Sequence, residues 1–382
     1  MNHPFRDANR IELLESGAGY FPALLAAIDG AAREVFLETY IYDDDATAAR
    51  ITAALAAAAR RGAAVRVLVD GFGARDMAAH LRDALVAAGV ELLVYRRPLW
   101  WQPVRGLRRM HRKLAVADAT VAFVGGINII DDWNTPNEVP PRFDYAVRMR
   151  GPVVDDVAAA AWHLWTVVSF AAFRRRRRRL PGPPAPAAGT MRARLLVRDN
   201  LAHRRDIENA YLAAIGDARA DILIAIAYFL PSPRVFDALR RAALRGVRVR
   251  ILLQGPSDHL LLKRASEFLY RRLHAAGIEV LEYHRSFLHS KVAVIDDAWA
   301  TVGSSNLDPF SLLLSREANV EVVDRGFAAT LRDSLQAAIA AGATPIDPAG
   351  FRRRPVLARL VQWASYRFAR AVIDALNLAR KN

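Results

Sequence analysis

The sequence predicts an α/β protein of two tandem lobes, each an α/β/α sandwich, related by a pseudo-twofold axis. Three observations predict it. The first is an internal duplication. EVFLETYIYDDD (Glu34–Asp45) and RRGAAVRVLVDGFG (Arg60–Gly73) recur as DILIAIAYFLPS (Asp221–Ser232) and LRGVRVRILLQGPS (Leu244–Ser257). MHRKLAVADATVAFVGGIN (Met110–Asn128) recurs as LHSKVAVIDDAWATVGSSN (Leu288–Asn306). Gly62 matches Gly246 at an offset of 184, Gly89 matches Gly277 at 188, and the last motif recurs at 178. A whole module is therefore duplicated, which is not solenoid repetition. The second observation is the alternation of short β-branched apolar runs with Ala-rich helical segments, the pattern of a sheet covered on both faces. The third is a Pro/Gly/Ala-rich linker, Pro181–Gly189, near the middle of the 382 residues. The resulting division is a first lobe over 1–180, a linker over 181–190, a second lobe over 191–345 and a C-terminal helix over 346–382.

Each module reads strand, helix, strand, helix, strand, hairpin. Val35–Tyr42 and Ile222–Phe229 are strand-like. Thr47–Arg61 and Arg234–Leu244 are helical, and Gly62 and Gly246 follow them where a helix ends on glycine. Val65–Val69 and Val247–Leu253 are the next strands. Leu114–Val124 and Val292–Val302 each read as two apolar runs about a turn, at Ala117–Thr120 and Asp296–Ala298. Val157–Phe173 is a 17-residue, mostly apolar segment with Trp162 and Trp165, followed by six arginines, Arg174–Arg179. It reads either as a buried helix on the first lobe or as a segment whose indoles and arginines meet an anionic membrane interface. Pro355–Asn382 carries Leu357, Leu360, Val361, Ala364, Phe368, Ala371, Val372 and Ala375 at helical spacing among five basic residues. Such a basic amphipathic helix suits an anionic bilayer, the second lobe or another chain.

Composition narrows the function classes. Hydrophobic residues make up 53% and charged residues 24%, which excludes a disordered chain. The absence of cysteine excludes disulfides, a thiol nucleophile and Cys-based metal sites. A net charge of +15 favours an anionic partner: a polyanion, an anionic membrane surface or an anionic substrate. Met1–Glu15 reads as no secretory signal, and no apolar stretch reaches the 18 residues of a spanning helix.

The chemistry is carried by a motif that occurs twice. His111, Lys113 and Asp118 form H-x-K-x4-D, and His289, Lys291 and Asp296 repeat that spacing. One occurrence is weak; two at matching positions of duplicated modules are strong. Each His-x-Lys pair opens a strand, and a period of two points both side chains to one face, onto one anion. Asn128 and Asn306 follow each lysine by 15 residues, after Gly125-Gly126 and Gly303-Ser304-Ser305, small residues that permit close approach to a ligand. Two His, two Lys and two Asn facing across a symmetry axis make one phosphodiester site. The lysines and asparagines hold the phosphate, one histidine attacks phosphorus and the other serves the leaving alcohol as acid. Asp118 and Asp296 complete the motif and are candidate catalytic residues, although their place by a turn favours a structural role. A histidine used this way needs its second nitrogen held. The expected partners are Asp144 for His111 and Glu317 for His289.

This constellation resembles the phospholipase D superfamily. Within it, RRMHRK (Arg108–Lys113), LVDGFG (Leu68–Gly73), FVGGIN (Phe123–Asn128), LHSKVAVIDDAWATVGSSNLDP (Leu288–Pro309) and EANV (Glu317–Val320) are similar to the short type of bacterial cardiolipin synthase. The likeness covers roughly residues 8–343. It implies phosphatidyl transfer between two phosphatidylglycerol molecules through a phosphatidyl-histidine, with release of glycerol. It implies no metal, nucleotide or other cofactor, because a phosphodiester is exchanged rather than made from an activated donor. His111 is the expected nucleophile and His289 the acid/base. Partners are phosphatidylglycerol, other phospholipids and the anionic membrane surface. The expected location is the cytoplasmic face of the inner membrane, held peripherally.

There are departures. Ser315 stands where relatives commonly carry asparagine. The link from Tyr95 to His111 is ten residues longer than that from Tyr283 to His289, and it carries Trp100, Trp101, Arg105, Arg108 and Arg109. Aromatic and arginine side chains there suit lipid headgroups, or a loop packed over the lobe interface. Competing activities are a hydrolytic phospholipase D, transfer with another lipid or alcohol, a superfamily nuclease and a silent lipid-binding scaffold. The tryptophan-bearing apolar segments weigh against nucleic acid as a partner. The oligomeric state is left open.

Overall fold

The structure, a computed structural model, describes residues 3–96, 108–135, 138–173, 183–199, 202–256, 260–308, 311, 314–347 and 355–378. The first half runs β1 (Arg6–Glu15), α1 (Ser16–Asp29), β2 (Glu34–Thr39), α2 (Ala46–Arg60), β3 (Ala64–Asp70), α3 (Ala79–Ala87), β4 (Glu91–Tyr95), β5 (Lys113–Ala117), β6 (Val121–Gly125), β7 (Arg142–Phe143), β8 (Tyr145–Arg150) and α4 (Val153–Ala171). The second runs β9 (Met191–Arg198), α5 (Asp206–Asp217), β10 (Asp221–Ile226), α6 (Pro233–Leu244), β11 (Arg248–Gln254), α7 (Leu260–Ala275), β12 (Ile278–Tyr283), β13 (Phe287–Leu288), β14 (Lys291–Ile295), β15 (Trp299–Gly303) and β16 (Glu317–Val323). Then follow α8 (Arg325–Gly342), β17 (Ala343–Pro345) and α9 (Val356–Leu378). The predicted strand–helix order of both modules is present. β1, α1, β9 and α5 precede it in each half, and sequence patterning gave no expectation for them.

The halves do not form separate sheets. Among the described residues, fifteen strands make one sheet in the order β17-β12-β11-β10-β14-β15-β16-β9-β1-β8-β6-β5-β2-β3-β4. Read outward from β9 and β1, the order of the two halves is the same, so the pseudo-twofold passes between these antiparallel strands. β2, β3 and β4 are parallel to one another, as are β10, β11 and β12, and each set meets its hairpin antiparallel.

Alternation along the strands builds a core on each face. Val35, Leu37, Val65 and Val67 pack under α1 to α3. Ile222, Ile224, Val249 and Ile251 pack under α5 to α7. On the opposite face Phe36, Leu68, Val147, Val292, Val302 and Val320 form one core shared by both halves, closed by α4 and by Phe327, Leu331 and Leu335 of α8. This common layer joins the halves in one apolar core, beside the backbone pairing of β1 with β9 and β7 with β13.

Trp162 and Trp165 belong to that core, which corrects the expectation that they contact lipid. They are 7% and 5% exposed. Their rings lie edge-on to Phe36, at 5.0 and 6.3 Å, and Arg66 stacks over Trp162 at 4.4 Å. The six arginines that follow lie outside the described residues. α9 docks on the second half: Tyr366 stacks on Phe268 of α7 at 4.8 Å, and the Gln362 amide donates to Glu267 at 2.7 Å. Leu357, Leu360, Trp363 and Phe368 of α9 stay exposed.

Candidate active site

The two motif strands meet because each extends backward across the symmetry axis. Met110 bridges Arg316 in parallel; His111 N–H donates to the Arg316 carbonyl at 2.9 Å, and Arg316 N–H to the Arg109 carbonyl at 2.8 Å. Across the axis, β13 pairs with β7, and His289 N–H donates to the Phe143 carbonyl at 2.8 Å. Backbone hydrogen bonds thus fix the distance between the two histidines. Both line one open cleft of about 620 Å3, together with Asn128 and Asn306.

The orienting carboxylates are crossed, which corrects the expected pairing. His111 Nδ1 lies 3.1 Å from both oxygens of Glu317, a residue of the second half. His289 Nδ1 lies 2.7 Å from Asp144 of the first half. Each motif strand ends on the far side of the axis, so the nearest carboxylate belongs to the other half. Spacing along the chain favoured the same-half partner and could not see that crossing. Each carboxylate is itself held: Ser304 Oγ donates to Glu317 at 2.6 Å, and Tyr145 N–H donates to Asp144 at 2.8 Å. With Nδ1 occupied, Nε2 is the nitrogen each ring has left for the cleft.

The small residues before the asparagines make room for the Asp144 carboxylate and the Asn319 side chain. A Cβ on Gly126 would stand 2.3 Å from Asp144 Oδ1, and one on Gly303 2.2 Å from the Asn319 side chain. At the position equivalent to Gly126 stands Ser304, whose hydroxyl grips Glu317 instead. Asn128 Oδ1 accepts from Ile41 N–H at 3.1 Å, which leaves its amide NH2 to donate.

The lysines are buried, at 2% and 0% exposure. Lys113 Nζ donates to the His111 carbonyl at 2.8 Å. Lys291 Nζ donates to the His289 carbonyl and lies 2.8 Å from His289 Nδ1 and 3.5 Å from Asp144. Burial pushes the Lys113 ammonium down to about 7, against the pull of Glu317. Lys291 is lowered too, chiefly by burial. Burial and the Lys291 charge push His289 down to about 3, with Asp144 opposing. His111 is lowered by burial, with Glu317 opposing. Burial alone would raise Asp144, but Lys291 and His289 outweigh it and hold the carboxyl below its usual range. Burial thus disfavours the charged forms of both lysines and both histidines, an effect that a bound anion opposes.

Asp118 and Asp296 are not at this centre, which corrects their place among candidate catalytic residues. Both sit in left-handed hairpin turns, with φ of 51°. Asp118 accepts from the N–H groups of Ala32, Arg33 and Glu34 at 2.8–2.9 Å, and Asp296 from those of Arg219, Ala220 and Asp221 at 2.6–2.9 Å. They tie each hairpin to the start of the neighbouring strand, β2 or β10.

The cleft also holds residues that sequence reasoning passed over. Tyr40, at the C-terminal end of β2, lies edge-on to His111 at 4.9 Å and 5.3 Å from Lys113 Nζ. Arg142 lines the same cleft. Its guanidinium donates to the carbonyls of Asp131 and Asn134 and stacks on Phe287. The available signal for Tyr40 was its position: open α/β sheets bind ligands beyond the carboxyl ends of their strands. Trp100, Trp101 and Arg105 lie outside the described residues. Ser315 lines the cleft, and Arg198 donates to its carbonyl.

Two lobes on one sheet, with a His and an Asn from each lining one cleft and a buried Lys beside each His, fit a phosphodiester-processing site. The family model described as "Cardiolipin synthase, PLD-like domain" matches residues 24–138 and 211–339, one segment in each half. Over 350 residues the chain is 42% identical to cardiolipin synthase B of Escherichia coli K12, covering 91% of this chain and 84% of the relative. It is 32% identical to cardiolipin synthase A of Pseudomonas putida, over 84% of this chain and 66% of the relative. Phosphatidylserine synthase of Haemophilus influenzae shares the fold, with a TM-score of 0.70 at 14% identity over 99% of this chain and 97% of that one. The chain belongs to the cardiolipin synthase family of the phospholipase D superfamily.

Proposed function

We propose that the protein is a cardiolipin synthase that moves a phosphatidyl group from one phosphatidylglycerol to another. The observation that carries this reading is the pair of Nδ1-anchored histidines, one from each half, on a single cleft. Nε2 of one histidine attacks the donor phosphorus. The phosphorus–oxygen bond to glycerol breaks, and the other histidine gives the departing alkoxide its proton. A hydroxyl of the second phosphatidylglycerol then attacks the phosphatidyl-histidine and passes its proton to that same second histidine, and the phosphorus–nitrogen bond breaks. Lys113, Lys291, Asn128 and Asn306 hold the phosphate oxygens and balance the charge that develops on them. Glu317 and Asp144 keep each ring in the tautomer that presents Nε2.

The substrate sits in a membrane. No helix of the described residues is long and apolar enough to cross one. Peripheral contact with the cytoplasmic face of an anionic membrane suits the exposed apolar side chains of α9 and its arginines. Trp100 and Trp101 belong to the same proposal.

The test is product analysis by mass spectrometry with phosphatidylglycerol vesicles. Sustained formation of cardiolipin and free glycerol is expected from the wild type, and no multiple turnover from His111→Ala or His289→Ala. Phosphatidic acid alone would make the protein a hydrolytic phospholipase D. His111 as nucleophile predicts a covalent phosphatidyl adduct in His289→Ala and none in His111→Ala; the reverse pattern exchanges the roles.

A further inference from the structure

The catalytic centre obeys the pseudo-twofold, but its rim does not. Carrying the motif offset of 178 back by two residues pairs Arg109 with Phe287. Both line the cleft. Arg109, His111 and Lys113 alternate along one extended segment with Met110 and Arg112, both of which are buried toward the core. Arg112 there forms an ion pair with Glu38. A period of two therefore puts the Arg109 guanidinium on the face that carries the catalytic histidine and lysine. On the other side of the axis that position is an aromatic ring, 5.6 Å from the His289 ring, and Leu260 and Leu261 line the same cleft.

Arg109 is held in place beside the Asp70 carboxylate and the Tyr40 hydroxyl, both close enough to interact with its charge. Its guanidinium stacks on the Phe72 ring at 3.9 Å and makes no salt bridge to a carboxylate among the described residues. The nearby Asp70 carboxylate is already committed to the N–H groups of Phe72, Gly73 and Met110, at 2.7–3.0 Å. Those three bonds fix the Phe72 turn against the segment that bears Arg109. Unlike the two buried lysines, a guanidinium keeps its charge whatever its surroundings.

Cardiolipin synthesis brings together two phosphodiesters, which end joined through the three carbons of one glycerol. The His, Lys and Asn set accounts for the phosphate that reacts. The second phosphate must approach it within the same cleft, where two like charges repel unless a fixed cation sits beside the newcomer. Resting on the synthase reading above, we infer that Arg109 is the binding subsite for the phosphodiester of the acceptor lipid. It selects an anionic phospholipid alcohol over water or a neutral alcohol. The planar guanidinium offers two parallel donors to two phosphate oxygens. The aromatic and leucine side of the cleft is left to apolar parts of the substrates.

The test compares wild type, Arg109→Ala and Arg109→Lys on phosphatidylglycerol vesicles, with and without ethanol as a neutral acceptor. Cardiolipin, phosphatidic acid and phosphatidylethanol are quantified together. Loss of one charge-assisted contact predicts that the ratio of cardiolipin to phosphatidic acid falls about tenfold or more in Arg109→Ala. Arg109→Lys should recover part of it, and the ratio of phosphatidylethanol to phosphatidic acid should not fall. An equal loss of all three products would assign Arg109 to the donor or to the fold and overturn the inference. So would an unchanged cardiolipin ratio. A wild type that yields only phosphatidic acid overturns the synthase reading itself, and the acceptor subsite with it; an unchanged ratio with cardiolipin still formed overturns the subsite alone.

Discussion

The two histidines occupy equivalent positions but different electrostatic settings. His111 faces both oxygens of Glu317, whereas His289 shares Asp144 with Lys291, which adds its charge to the cost of burial. Each carboxylate raises the proton affinity of the ring it touches, so removing it must lower that affinity further. Glu317→Gln is therefore expected to shift the His111 titration downward and leave His289 in place. Asp144→Asn should do the reverse. Nuclear magnetic resonance of ring-labelled histidine reads both, and shifts on the same-half histidine would contradict the crossed pairing. Turnover should fall by about 10²–10⁴-fold in either variant, the range seen when a catalytic histidine loses its carboxylate or a comparable outer partner.

At the scale of elements, the hairpins β5–β6 and β14–β15 owe their seating to Asp118 and Asp296. Each carboxylate satisfies three backbone N–H groups that would otherwise have water as their partner. Asp118→Ala is expected to cost about 1–2 kcal/mol of stability, measured by urea denaturation. Any loss of turnover should follow the unfolded fraction. A turnover loss of 10³-fold in fully folded protein would return Asp118 to the chemistry. The repeated motif contains both a chemical pair and a structural anchor at fixed spacing, so the pattern alone could not separate the roles. The turn at Ala117–Thr120 was the clue. The segment Val157–Phe173 was similarly double-valued: tryptophan suits both a core and an interface, and only Phe36 and Arg66 beneath it decide for the core.

The architecture of the whole molecule predicts one folding unit. The sheet runs through β9 and β1 without a break, and strands of both halves share one core beneath α4 and α8. Neither half can bury that face alone. Thermal unfolding should therefore be a single transition, with hydrogen exchange in β5 and β14 limited by the same global opening. Two transitions, or a large difference in protection between those strands, would show that the lobes unfold separately. Such rigidity serves the site, because each histidine is oriented by a carboxylate from the other half.

The amino-acid order by itself determined the duplication, the strand–helix alternation and the identities of His111, Lys113, Asn128, His289, Lys291 and Asn306. These are local matters of period, turn chemistry and repeated motif, all written in contiguous residues. The tertiary structure decided what depends on distant groups: the single sheet, the exchange of Glu317 and Asp144 between the halves, the burial of Trp162 and Trp165, and the seat of Arg109 on Phe72. Hydrophobic periodicity says which face of a strand is buried. It does not say which strand of the other half arrives there, and that arrival sets both the pairing of charges and the asymmetry of the cleft.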